Sequence, residues 1–258
     1  MKKTLIVGNW KMHLNTMQAS ILLHRLQERI KIYRSIEVVL APSTLVLQPL
    51  SLQIDRRKFR LAAQNAYAKD FGAYTGEVSF TMLRDLVHYV IIGHSERRHI
   101  FGESSQDVSE KVDAAIRNDI APIICVGETK TEMLAGHTKR VLHDQVVSAL
   151  HGLTKEDMHK VVIAYEPVWA IGTGIIATPD QTKKAIDFIR HNIEELYGKK
   201  VAAAVRVLYG GSVVPDVAKG FLDIDGVDGL LVGGASINYH QFSAITDVAY
   251  KSRQDIND

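Results

Sequence analysis

The chain has 258 residues, enough for one large domain or two small ones, and its 46% hydrophobic content supports a substantial core. A net charge of +2, without a dense Lys/Arg block interleaved with aromatics, argues against a nucleic-acid partner. No segment approaches a membrane span, the first apolar stretch ends at Gly8, too soon for a signal peptide, and the single cysteine, Cys125, excludes an intrachain disulfide. We therefore expect a cytoplasmic protein with no membrane partner.

Eight short apolar runs recur along the chain. Most are rich in Val and Ile without alternation, which is typical of strands covered on both faces. Their separations are too long for hairpins, so parallel pairing is expected. The runs cover residues 5–7, 38–41, 61–63, 87–92, 120–126, 161–165, 205–209 and 229–232.

The segments between these runs have helical spacing. Leu22, Leu26 and Ile30 are four residues apart and fall on one helix face. The Thr-Pro-Asp-Gln segment at 178–181 predicts a capping box with proline at the first helical position, and Gly198 predicts the end of that helix.

Strand and helix alternate about eight times with no linker, so we predict one catalytic domain over residues 1–258. Eight such units in a chain of this size suit an α/β fold of the (β/α)8 barrel type, and the pattern alone leaves an open doubly wound sheet as the competing architecture. Polar residues and glycines follow the ends of five runs. A closed barrel brings those ends to one rim, whereas an open sheet spreads them, so their convergence favours the barrel.

Glu166 directly follows the sixth run and is the candidate general base. A lone glutamate at a strand end is usually a solvated rim residue. Here Pro-Val-Trp and then Gly-x-Gly follow it, which favours a base at the mouth of a site beside a flexible cover. A carboxylate in a partly dry pocket has its pKa raised toward working pH, and we expect this of Glu166.

Two further candidates follow the first and fourth runs. His94 precedes a predicted helix at 95–98, and the partial positive charge of a helix N-terminus favours an uncharged imidazole. Lys11, close behind Asn9, would place a cation at the same rim, where preorganised charge can stabilise an anion. Either residue in isolation would be an ordinary surface or structural residue, and only the strand-end position distinguishes them. No His-Glu-x-x-His pattern occurs, and no metal site is predicted.

Two glycine turns follow the seventh and eighth runs. Gly210 and Gly211 precede Ser212, and Gly233 precedes Gly234. Backbone N–H groups at such turns approach an anion closely, and barrels often bind phosphate after strands seven and eight. One pair alone would indicate only a turn, but two pairs at adjacent strand ends favour a phosphate site.

The segment 168–176 is predicted to be a lid. Gly172 and Gly174 let its backbone rearrange, and closure would exclude water from a reactive intermediate. The Gly-x-Gly spacing imitates a dinucleotide fingerprint, but that motif needs its first glycine directly at the strand end. Glu166 and Pro167 intervene here, so no nicotinamide cofactor is expected.

Five motifs resemble the signatures of the triosephosphate isomerase family. They are Asn-Trp-Lys-Met at 9–12, Gly-His-Ser-Glu-Arg-Arg at 93–98, the stretch 164–174, Tyr-Gly-Gly-Ser at 209–212 and Val-Gly-Gly-Ala at 232–235. They occur in the family's order, and the likeness runs over nearly the whole chain. The resemblance implies cofactor-free, reversible conversion of dihydroxyacetone phosphate to D-glyceraldehyde 3-phosphate through an enediol(ate), a step of glycolysis and gluconeogenesis.

The resemblance also implies roles for single residues. Glu166 would move a proton between C1 and C2, Glu96 would hold Lys11, and Asn9 would donate to the oxyanion. The implied phosphate contacts are Gly172, Ser212, Gly233 and Gly234. The chain departs from the family at Ile175 and Ile176, where Lys followed by Thr or Val is usual. Because β-branched residues are stiff, we expect altered lid opening with intact chemistry.

The loop at 64–77 carries three aromatics and suggests an interface. In the family the matching loop enters a second subunit, so that Thr75 approaches the partner's Asn9 and the partner's Lys11. We therefore predict a homodimer, although the residues alone also allow a loop packed on its own barrel.

Two other functions remain open at this point. An epimerase, or an isomerase of a larger phosphosugar, would share the phosphate site but would not need Glu166, His94 and Lys11 together. A non-catalytic scaffold would need none of the three.

Overall fold

The computed structural model describes residues 2–254 and contains eight parallel strands in a closed barrel, ordered β1 to β8. Each predicted apolar run contains or lies within one strand, which confirms the (β/α)8 prediction. The strands are β1 Thr4–Asn9, β2 Ile36–Ala41, β3 Phe59–Ala63, β4 Tyr89–Ile92, β5 Ala121–Val126, β6 Val162–Tyr165, β7 Arg206–Tyr209 and β8 Gly229–Val232.

Helices cover the outside of the barrel. They are α1 Thr16–Arg29, α2 Thr44–Ser51, α3 Phe80–Leu83, α4 Ser95–His99, α5 Ser105–Arg117, α6 Lys130–Leu134, α7 Thr138–Ala149, α8 Pro179–Tyr197, α9 Lys199–Ala204, α10 Pro215–Leu222 and α11 Tyr239–Gln254. Short 3₁₀ helices occupy Asp157–His159, Val168–Ala170 and Gly234–Ile237.

Alternate strand residues enter two separate cores. On β1, Leu5 and Val7 point into the barrel, whereas Ile6 packs between the barrel and its helices. Both faces of each strand are therefore buried, which explains the unbroken Val/Ile runs. Cys125 lies fully buried in the inner core, as expected of a packed thiol, and burial raises its pKa.

The predicted helix signals are confirmed. Leu22 and Leu26 lie on the buried face of α1, and Ile30 is its buried C-terminal cap. Thr178 caps α8 through a complete capping box, and Gly198 ends that helix with φ of 89°. Within residues 2–254, no helix is long and apolar enough to span a membrane.

Candidate active site

The barrel brings the predicted chemical groups to its carboxyl-terminal rim. Asn9 is the last residue of β1, and His94 lies two residues beyond the end of β4. Glu166, Gly210 and Gly233 directly follow β6, β7 and β8. Because all strands are parallel, all of these residues lie at the same end of the barrel.

Glu166 contacts His94 directly. Its Oε1 lies 3.0 Å from His94 Nε2, and its Oε2 accepts the backbone N–H of Ser95 at 2.9 Å. On the other side of the ring, the backbone N–H of Glu96 donates to His94 Nδ1 at 3.2 Å. An accepting Nδ1 carries a lone pair, so this contact suits an uncharged ring with its proton on Nε2.

The contact between the two side chains changes both pKa values. Burial raises the pKa of Glu166, but His94, the Ser95 N–H and Lys11 outweigh burial and lower it. The prediction of a raised pKa is therefore wrong for the substrate-free site, because sequence could not show that a cation and a backbone donor reach this carboxylate.

His94 experiences two opposed influences. Burial lowers its pKa, but the carboxylates of Glu166 and Glu96 raise it by more, so the net shift is upward. The N–H contact at Nδ1 acts in the other direction because it favours the uncharged ring. The helix N-terminus predicted from the sequence is thus present beside His94, and Glu166 opposes its effect on the pKa of the ring.

Lys11 is held in a strained backbone conformation. Its φ is 52°, in the left-handed region, which costs a non-glycine residue about 1–3 kcal/mol. Its amide donates to Asn9 Oδ1 at 3.1 Å, and Gln64 Nε2 donates to its carbonyl at 2.9 Å. The ammonium lies 2.5 Å from Glu96 Oε1. Backbone and side chain are therefore both fixed at the rim.

Two adjoining cavities open beside Lys11. One, of about 360 Å³, is lined by Asn9, Lys11 and the glycine turns, and the other, of about 350 Å³, by Asn9, Lys11, His94 and Glu96. The predicted phosphate contacts Gly172, Ser212, Gly233 and Gly234 all line the first cavity. Asn9 and Lys11 belong to both cavities and connect the anion side with the imidazole side.

Glu166 lines neither cavity. Its side chain is only 2% exposed and lies behind His94. The carboxylate must therefore turn away from His94 before it can reach a molecule in either cavity.

The lid begins with a 3₁₀ turn at Val168–Ala170. Thr173 Oγ1 donates to the Trp169 carbonyl at 2.9 Å, and Gly172 and Gly174 both have positive φ. Ile175 and Ile176 are 46% and 44% exposed. The predicted lid thus presents two apolar side chains to solvent.

Sequence reasoning assigned no role to Gly127 and Glu128, which follow β5. A Cβ on Gly127 would lie 1.7 Å from the Glu166 carbonyl, so only glycine fits there. Buried Glu128 accepts from Trp169 Nε1 at 2.9 Å and from the Tyr165 hydroxyl at 3.1 Å. Their position directly after a strand was a usable signal, because Glu166, Gly210 and Gly233 occupy the same position after β6, β7 and β8.

Gln64 was assigned only to the interface loop. Its amide donates both to Lys11 and to the Ala41 carbonyl, at 2.8 Å in the second case, so it links β2, β3 and the lysine. No sequence motif indicates this contact. Among residues 2–254, no group of three His, Cys, Asp or Glu side chains is arranged to hold a metal ion.

Acid–base groups at the carboxyl rim place the chain among the enzymes of the (β/α)8 barrel class. The family model of triosephosphate isomerase matches residues 4–249. The chain is 45% identical to the triosephosphate isomerases of Citrifermentans bemidjiense, over 95% of this chain and 98% of the relative, and of Caldanaerobacter subterraneus, over 96% and 100%. It is 44% identical to that of Clostridium tetani, over 96% and 97%. The chain therefore belongs to the triosephosphate isomerase family.

Proposed function

We propose that this chain interconverts dihydroxyacetone phosphate and D-glyceraldehyde 3-phosphate as one catalytic domain over residues 1–258, without a cofactor. Membership of the family supports this reaction. The observation that carries it in the structure is the contact of Glu166 with His94, beside two cavities that Asn9 and Lys11 connect. A hydrogen-bond donor and a cation thus line the space for a small molecule, and the base lies directly behind the donor. A glycolytic role supports placing the enzyme in the cytoplasm.

The phosphate group binds in the first cavity. The backbone at Gly172, Ser212, Gly233 and Gly234 lines this space, and N–H groups of glycine turns suit a dianion. Lys11 and Asn9 lie between this cavity and the imidazole. A three-carbon chain anchored by its phosphate therefore presents its carbonyl and hydroxyl oxygens to Lys11 and His94.

Substrate entry separates Glu166 from His94. The freed carboxylate removes a proton from the carbon beside the carbonyl and returns it to the neighbouring carbon. The loss of the contact also removes the main cause that raises the pKa of His94. The Glu96 N–H then favours the uncharged ring, whose Nε2–H donates to the substrate oxygens.

Lys11 stabilises the enediolate. Its ammonium is preorganised by Glu96, so little reorganisation is needed when negative charge develops on oxygen. Lid closure over the first cavity keeps water from the intermediate, and the binding energy of the phosphate drives that closure.

A second copy of this chain covers the loop at 64–77. Within the loop, Asp70 accepts from Arg117 at 3.1 Å and from Asn118 at 2.8 Å, which fixes this part of the loop to the end of α5. Phe71 is 91% exposed and Met12 is 95% exposed. Other large apolar side chains exposed on the loops and helices after β1 to β4 are Leu45, Met82, Ile100 and Phe101.

These exposed residues follow four neighbouring strands, so they lie on one side of the barrel rim. Such a concentration of apolar surface marks an interface. We expect sedimentation to give a dimer at assay concentration. An active monomer at that concentration would contradict the dimer.

The function is tested by a coupled assay of the purified chain with D-glyceraldehyde 3-phosphate and, in parallel, with four- to six-carbon aldose phosphates. We expect turnover of the triose phosphate alone. Preference for a longer sugar would indicate the other phosphosugar isomerases or epimerases. Phosphate binding without any turnover would indicate a scaffold.

A further inference from the structure

The amino-terminal rim of the barrel, opposite the candidate active site, contains a small cavity of about 70 Å³. It lies where β1, β2 and β3 begin, and these three strands are neighbours in the barrel. Its lining residues are Lys3, Lys31, Tyr33, Ile36, Glu37, Val38, Arg56, Arg57, Lys58, Phe59 and Arg60. We call the space that these residues line the amino-rim cavity.

The charges of the amino-rim cavity are strongly unbalanced. Six of its lining residues are Lys or Arg and one is a carboxylate, whereas the whole chain has a net charge of only +2. That carboxylate, Glu37, already pairs with Arg206 at 2.8 Å. Among the residues that the structure describes, Asp55 pairs with Arg57 alone, at 3.0 Å. The remaining cations therefore face the cavity with little compensation.

Three of these cations differ from the others in their distance from the described carboxylates. Among the side chains that the structure describes, no carboxylate lies within 4.0 Å of Lys3, Lys31 or Arg56. The field of the cluster also reaches His88, whose pKa is lowered by burial first and then by Arg60 and Arg56. Like charges held together without counterions repel, and a bound anion would relieve that repulsion.

We propose that the amino-rim cavity binds a small polyphosphate anion, with one phosphate group inside the cavity and the others on the surrounding cations. Guanidinium and ammonium groups are the side chains that bind phosphate in proteins, and six of them line this cavity. This site is separate from the phosphate position among the glycine turns, because the two lie at opposite ends of the strands.

The aromatic side chain at the cavity favours a small anion over a single-stranded nucleic acid. Strand-binding proteins stack bases on free aromatic rings. Tyr33 is not free, since its ring packs on Tyr250 at 4.4 Å and its hydroxyl donates to Asp247 at 2.5 Å. Phe59 is buried. The cavity thus offers charge without a stacking surface.

Equilibrium dialysis with inorganic triphosphate at low ionic strength tests the proposal. The test variant replaces Lys3, Lys31 and Arg56 with Gln. The control replaces Lys155, Lys199 and Lys200 with Gln, which removes the same charge from exposed positions near the start of β6 and β7. Both variants should keep the kcat of the unchanged chain, which shows that they fold and that the active site is intact.

We expect the test variant to bind one triphosphate fewer per chain than the unchanged protein and the control, or to bind it at least about tenfold more weakly at this site, a loss of ~1.4 kcal/mol. High salt should abolish the difference. Equal binding by all three proteins, or equal loss in both variants, would overturn the proposal. Tighter binding of a single-stranded RNA oligonucleotide than of triphosphate, lost in the test variant, would overturn the small-anion assignment.

Discussion

The two ends of the barrel both contain networks of charged side chains, but only one network faces large cavities. At the carboxyl rim, Lys11 and His94 line spaces of about 360 and 350 Å³. At the amino rim, Arg206 bonds Glu37 and the Tyr89 hydroxyl, both at 2.8 Å, and closes the end of the barrel. The residue types are similar, and their surroundings differ.

This difference separates chemistry from stability. The carboxyl-rim groups lie beside cavities that can hold a small molecule, which we propose separates Glu166 from His94, and Lys11 has a strained backbone. The Arg206 network has its partners within the protein and no cavity beside it large enough for a substrate. Substitutions at the first end should therefore change turnover, and those at the second end should change unfolding.

Among the variants that test this difference between the two ends, Lys11→Met should have the largest effect on turnover. The change removes the preorganised cation, and kcat/KM should fall ~10²–10³-fold, as for the loss of one oxyanion donor. The free energy of unfolding should change little, because the lost ion pair with Glu96 is partly exposed and methionine adopts the same left-handed backbone as lysine. Steady-state kinetics and urea unfolding check both parts. A matched change at exposed Lys155 should leave kcat/KM intact, and unchanged kinetics in the Lys11 variant would remove the lysine from the mechanism.

The next largest effect, on both stability and turnover, is expected from Gly127→Ala. The new methyl group would overlap the Glu166 carbonyl, so the backbone must shift, at a cost of about 1–3 kcal/mol of unfolding free energy. Because the shift displaces the candidate base, kcat should fall as well. Gly220→Ala is the control, since a Cβ there meets nothing within 4 Å. A variant with normal stability and kcat would show that this contact does not position Glu166.

At the amino rim, Arg206→Met should act on stability alone. It leaves Glu37 without its cation, and the free energy of unfolding should fall by about 2 kcal/mol with kcat unchanged. The double variant that also carries Glu37→Gln should recover part of the loss, because no unpaired carboxylate remains. A large fall in kcat with normal stability would break the separation between the two ends.

A change in pH should distinguish the Glu166–His94 pair from the rest of the fold. The raised pKa of His94 contributes stability below the unfolded-state pKa, and this is lost as the pH rises through the folded value. The lowered pKa of Glu166 contributes stability above the ordinary carboxyl pKa, and this is lost as the pH falls through the folded value.

Glu166→Gln should therefore lower the pKa of His94, measured by NMR in the substrate-free protein, and weaken the dependence of unfolding on pH in both windows. A His94 pKa that is the same in both proteins would show that the carboxylate does not control the ring.

The smallest effect is expected at the lid. Ile175→Lys restores the residue usual in the family at an exposed position, so the chemical step should persist while the rate of loop opening changes by a few-fold. Loop relaxation measured by NMR, together with kcat and KM, checks this. Identical values for all three quantities would remove the proposed effect of the isoleucines.

The eight apolar runs predicted parallel strands because burial of both strand faces is a local cause, and the polar groups at the run ends then favoured a closed barrel over an open sheet. The sequence also predicted which residues reach the rim, since a strand end fixes that position for Asn9, His94 and Glu166. It could not predict that Gln64 donates to Lys11 or that Gly127 touches the Glu166 carbonyl, because these contacts join residues distant in sequence and depend on the closed barrel.

The pKa shift of Glu166 could not be predicted from the sequence for the same reason, because it depends on contacts between residues that are distant in sequence. A carboxylate with apolar neighbours in sequence suggested a raised pKa, and the approach of His94 and the Ser95 N–H reversed the sign. The amino-rim cations show a second limit of prediction from the sequence. Sequence reasoning passed over the basic run at 56–60, and Lys3 and Lys31 join that run only when β1, β2 and β3 are aligned.

The central claim is that Glu166 moves the proton while other groups hold the phosphate. It is tested most directly by Glu166→Gln, assayed for turnover of D-glyceraldehyde 3-phosphate and, in the same preparation, for binding of a non-reactive three-carbon phosphate. Our account predicts a fall in kcat of ~10²–10⁴-fold, the usual contribution of a general base, with phosphate binding retained. Undiminished turnover in this variant would contradict the account.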